Sequence, residues 1–232
     1  MWQLSLNRTT ARRPGFVVVA STSMTLTVWS FTPTASTPTG MCKVDLDYGV
    51  ITCPGGDAFV DARAALMDSR GNHVTRFSCR VIGRDDQGDL HCAPGKPTLD
   101  YDATEVLQSF ARKCALDVIH LWKGPPVIKR YLRTGDPKLR GAALVATRGA
   151  ARNTARDVAG SAIWAVIGAS GKRAAWVGAR NAAWDATREI AAGDAAKAAT
   201  GDAAWATTRD AATACQSRRL AHMLQAGAHG SR

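Results

Sequence analysis

Glutamate is nearly missing from this chain of 232 residues, which has Glu105 and Glu189 and no others. Paired carboxylates for general acid and base chemistry would therefore have to be aspartates. Asp45 and Asp47, two apart on an expected strand, share a face, and the ordinary reading of such a pair is a solvated strand surface. No run of about 18 or more apolar residues occurs, so no standard membrane-spanning helix and no membrane partner is expected. Nucleophile elbows of the G-x-S-x-G type, G-x-x-x-x-G-K-[ST] phosphate loops and H-E-x-x-H zinc helices are also missing. Gly168-Ala169-Ser170-Gly171-Lys172 comes nearest to a phosphate loop, but it lacks the first glycine and a preceding strand. These absences exclude the common enzymatic signatures, and no cofactor is expected.

What is present is unevenly distributed. Hydrophobic residues make up 46% and charged residues 21%, too apolar a composition for wholesale disorder. The net charge is +11. Residues 1–100 hold 10 Lys and Arg against 9 Asp and Glu, a net of +1, whereas 101–232 hold 20 against 10, a net of +10. The split also separates early β-branched runs from late alanine. An α+β chain is expected, with a small β-rich N-terminal region followed by an Ala/Trp-rich antiparallel helical bundle.

Four segments follow. Residues 1–40 read as an extension of low order or as sequence upstream of a start at Met41. Arg12-Arg13, a short apolar run from Phe16 to Ala20 and small residues near Ala35 resemble an export signal, but Ser and Thr interrupt the run after five residues. Residues 41–100 read as a cysteine-bearing β domain. A hairpin is expected over Cys42–Cys53, turning at Gly49, and a strand over His73–Gly83. Its alternation puts Val74, Arg76, Ser78 and Arg80 on one face and Thr75, Phe77, Cys79 and Val81 on the other. Asp57 to Asp68 suggests a short helix, and Pro94-Gly95 a strand end.

Residues 101–226 read as the helical bundle and 227–232 as a tail. Val106, Leu107, Phe110, Ala111, Cys114, Val118 and Leu121 recur at helical spacing, with Asp102 or Thr104 as cap. Gly135-Asp136-Pro137 punctuates a corner: glycine ends one helix, aspartate caps the next and proline takes its first position. Further on, alanines let helices approach closely, and the tryptophans are expected to fill the remaining core volume.

Two groups of residues are candidates for function. Cys42, Cys53, Cys79 and Cys92 can be buried thiols, disulfides or metal ligands. Their wide spacing differs from the tight C-x2–4-C knuckles of structural zinc, so as metal ligands they are weak candidates. Cys114 and Cys215 read as core. The second group is a stripe on one helix face, Arg140, Arg148, Arg152 and Arg156, suited to a partner or to phosphate. Lys172, Arg173 and Arg180 add to the charge.

Phe110-Ala111-Arg112-Lys113-Cys114-Ala115 with Val118, Ile128 through Gly135 with Leu139, and Ala211 through Leu220 with Met223-Leu224 resemble the helices of a loosely defined group of bacterial and phage immunity proteins. The resemblance covers residues 105–226. It implies a non-enzymatic protein that neutralises a toxin or competing factor by binding it, and the expected location is the cytoplasm. The first 100 residues have no counterpart there, and the basic charge contrasts with the acidic surfaces of many nuclease-neutralising immunity proteins. A charge of +11 suits an acidic protein partner; the alternative is a basic helical nucleic-acid-binding protein.

Overall fold

A computed structural model describes residues 12–13, 16–17, 24–34, 40–54, 56–121, 124–153, 163–167, 175–198 and 202–230. Two short strands, β1 (Arg12–Arg13) and β2 (Phe16–Val17), precede β3 (Thr25–Thr32), β4 (Cys42–Asp45), β5 (Val50–Cys53) and β6 (Gly56–Phe59). Helix α1 (Ala62–Asp68) then leads to the long strands β7 (His73–Arg84) and β8 (Leu90–Asp102). The remainder is helical: α2 (Thr104–Val118), α3 (Pro126–Thr134), α4 (Pro137–Asn153), a short helical stretch at 163–167, α5 (Ala175–Ala198) and α6 (Asp202–Gly230).

The β part corrects the expected fold. Its strands pair in the order β7, β3, β6, β5, β4, β8, and β8 returns to β7, so six antiparallel strands close into a barrel. Every one of the six contributes to a single interior cluster: Val28, Cys42, Val44, Ile51, Cys53, Ala58, Phe77, Cys79 and Cys92. That is the alternation a small closed barrel requires, with one face of each strand filling the lumen. Phe77 and Cys79 point inward, with Val81 packed against them, while Val74 belongs to the opposite core.

Three local expectations also give way. Thr25–Thr32, inside the stretch read as an extension, forms eight registered pairs with β7. The first three residues of the expected helix at Asp57 to Asp68 belong to strand β6, and α1 starts after Asp61, whose Oδ1 accepts the Ala64 N–H at 2.8 Å. Pro94-Gly95 does not end a strand, because β8 continues to Asp102. Pro94 and Pro97 lie opposite Cys79 and Phe77, where the β7–β8 register shifts. A bulge is where a strand tolerates a residue that cannot donate to the ladder.

The barrel's outer face is the floor of the helical layer. Trp29, Phe31, Val74 and Leu99 share one core with Leu107, Phe110, Cys114, Val118, Ile128, Leu132, Ala182, Ala183, Leu220 and Leu224. Polar links reinforce this junction. Arg63 of α1 donates from Nε to Gln216 Oε1 at 3.0 Å and from Nη2 to Thr187 Oγ1 at 3.2 Å. Thr187 in turn donates to Gln216 Oε1 at 3.0 Å. Burial lowers the Arg63 pKa, and the nearby Asp61 carboxylate opposes that shift. Ser217 hydrogen-bonds the same Asp61, and Tyr101 of β8 donates its hydroxyl to Leu224 O at 2.8 Å.

Candidate functional site

The four front cysteines are spent as disulfides. Cys42–Cys53 joins β4 to β5 and Cys79–Cys92 joins β7 to β8. Cys42 lies opposite Cys92 in the β4–β8 ladder, so both bridges sit side by side in the barrel interior. A sulfur bonded to another sulfur is not a thiolate ligand. Among the described residues, no group of three or more His, Cys, Asp or Glu side chains is arranged to hold a metal ion. Cys114 is buried, and that burial pushes its thiol up to about 12. Cys215 is exposed, contrary to its expected place in the core.

Asp45 and Asp47 do not form a site. The Asp45 carboxylate accepts the Asp47 and Tyr48 N–H groups at 3.1 and 3.2 Å, closing the β4–β5 turn. Two imidazoles pair with aspartates: His73 Nε2 with Asp100 at 2.5 Å and His91 Nε2 with Asp85 at 2.8 Å. Among the described residues neither imidazole hydrogen-bonds a Ser, Thr or Cys side chain, which a nucleophilic triad needs.

Of the predicted arginine stripe, Arg140 is the member whose side chain the structure describes. Arg148 and Arg152 belong to α4, but their side chains lie outside the described residues, and so does all of Arg156, along with Lys172 and Arg173. Arg140 is half-buried and donates from Nη2 to Ile167 O at 3.2 Å. It lines a cleft of about 210 Å³ with Gln108 and Arg112 of α2, Tyr131 of α3, the turn at Gly135 and the start of α5.

That turn follows the expected punctuation. Gly135 adopts φ 67°, and its N–H bonds Tyr131 O at 2.7 Å, while Asp136 Oδ1 accepts the Lys138 N–H at 2.9 Å. Glycine is the natural residue for this left-handed C-cap. It also leaves room for a neighbour, since a Cβ there would come within 2.7 Å of Arg112 Cζ. Sequence reasoning missed Arg112 and Tyr131. They lie on two other helices, and no spacing along the chain links them to Arg140.

A second feature is exposed. Trp184 on α5 is 56% exposed, and Trp164 and Val145 also face solvent, although the tryptophans were expected in the core. Arg180 and Arg188 stand one turn before and one turn after Trp184, on the same helix flank. The Arg180 guanidinium lies 5.0 Å from the centroid of the Trp176 ring, a cation–π contact. Comparison with protein-family models, curated proteins and solved structures yields no match for this chain.

Proposed function

We propose that this protein acts by binding an acidic protein partner and not by catalysis, in the manner of the immunity proteins that its helices resemble. The observation that carries the reading is Trp184, a large aromatic side chain left 56% exposed between Arg180 and Arg188. Tryptophan and arginine are the residue types that dominate binding energy at protein interfaces. Leaving such a ring in water is costly, and a partner that covers it recovers that cost. The net charge of +10 over residues 101–232 favours a partner of opposite sign and speeds its approach.

Among the described residues no helix is long and apolar enough to cross a membrane. The two disulfides support an oxidising compartment rather than the cytoplasm expected from the sequence, because thiol reductants keep cytoplasmic cysteines reduced.

Affinity capture from a lysate of the source organism, with wild-type and Trp184→Ala chains side by side, tests the reading. The expected result is one acidic protein retained by wild type and weakened roughly thirty-fold by the substitution, as removing an interface anchor does. Recovery of the same proteins by both chains would overturn it. Recovery of nucleic acid, released steeply by salt, would favour the nucleic-acid reading instead.

A further inference from the structure

We propose that the cleft between α2, the α3–α4 corner and the start of α5 is a binding site for a small oxyanion, a phosphate or carboxylate group. Arg112 and Arg140, from different helices, both line it, and none of the lining residues among those described is acidic. The described walls of the cleft therefore supply no carboxylate to neutralise these guanidiniums. Arg140 spends one N–H on Ile167 O, which leaves the rest of its fork for a ligand. Arg112, Gln108 and Tyr131 make no side-chain hydrogen bond or ion pair among the described residues.

Tyr131 adds a further donor. The residue as a whole is only 7% exposed, but its hydroxyl is not one of the unpaired polar atoms shut off from solvent. With no hydrogen-bond partner among the described residues, that hydroxyl is open to an acceptor that enters the cleft. Gly135 contributes by what it lacks, since any Cβ would collide with the Arg112 guanidinium resting against the turn.

Two guanidinium forks, a phenol and a carboxamide supply donors for the oxygens of one anionic group. The volume of about 210 Å³ lies below the roughly 300–1,000 Å³ of pockets for drug-sized ligands. It suits phosphate or a short dicarboxylate and not a nucleotide cofactor. The site is separate from the Trp184 face and requires no protein partner.

Titration calorimetry of the full chain with inorganic phosphate, and separately with succinate, at constant ionic strength tests this. Saturable one-to-one binding of either anion is expected, and the tighter of the two identifies the preferred oxyanion. Arg112→Gln and Arg140→Gln should each weaken binding about tenfold or more, as loss of a charge-assisted hydrogen bond does. Tyr131→Phe deletes a hydroxyl with no partner among the described residues, so it keeps the fold while weakening binding roughly three- to tenfold. Arg130→Gln, an exposed change on α3 outside the cleft, should leave binding unaltered. Absence of saturable binding with both anions would overturn the proposal, as would equal binding by wild type, Arg112→Gln and Tyr131→Phe.

Discussion

The barrel and the helical layer solve the same problem with different means. In the barrel, nine interior residues from six strands are pinned by two covalent bridges. In the helical layer, alanines such as Ala179, Ala182, Ala183 and Ala186 are wholly buried, so helices pack close with little side-chain volume between them. The larger apolar groups in that core come in part from the outside of the barrel, through Trp29, Phe31, Val74 and Leu99. The lumen is thus built from its own strands, whereas the helices lean on a surface they do not supply. A barrel lesion that disturbs the outer face should therefore reach the helices, and a lumen lesion should stay nearer home.

Removing residues 1–40 is the strongest way to break this asymmetry. It deletes β3, which pairs with both β7 and β6, and it takes Trp29 and Phe31 out of the helical core. Both parts should lose cooperative unfolding, because the loss exceeds a typical net stability of about 5–15 kcal/mol. Far-ultraviolet circular dichroism with thermal melting would check it. A sharp transition in the shortened chain would show that the ring closes without β3.

A milder pair of lesions sharpens the contrast. Phe110→Ala, in the shared core with no exposed surface, should cost about 3–5 kcal/mol and lower strand and helix signals together. Replacing Cys79 and Cys92 with alanine removes one bridge and should cost about 2–4 kcal/mol. Thiol labelling read by mass gives the accompanying count. Of six cysteines, the two outside disulfides should react after unfolding without reductant, and all six after reduction. In the folded protein, exposed Cys215 should react and buried Cys114 should not.

The smallest effect is electrostatic and confined to the β7–β8 turn. The His91 hydrogen bond holds the Asp85 carboxyl below its ordinary value of 3.8. A carboxyl with a depressed folded value adds stability above the unfolded value and loses it as pH falls through the folded one. Melting temperatures of wild type and Asp85→Asn should therefore differ slightly near pH 5 and converge well below pH 3.8. A gap that stays constant across that range would assign the Asp85 contribution to its turn hydrogen bonds to Gln87 and Asp89 instead.

What could be read from the sequence follows the range of the interactions. The face alternation of Phe77, Cys79 and Val81, the Gly49 turn and the Gly135-Asp136-Pro137 corner depend on near neighbours and were legible. Strand β3 was not, because Thr25, Thr27, Ser30 and Thr32 look like a polar linker until β7, more than forty residues later, supplies their hydrogen-bond partners. Barrel closure is likewise a pairing of distant segments. At the cleft, periodicity could single out Arg140, while Arg112 and Tyr131 join it through tertiary packing.

Ring closure also bears on what can associate with this molecule. Sheets usually offer a rim strand whose unpaired N–H and C=O groups invite another chain, either in aggregation or in recognition by strand addition. Within this ring, β7 bonds β3 on one side and β8 on the other, and each remaining strand likewise has two partners. Among the described residues the ring therefore has less open edge than a flat sheet, although β8 beyond Cys92 is registered with β7 alone. Where both sides of a strand are paired, recognition falls to side chains, and strand addition is confined to stretches such as the end of β8.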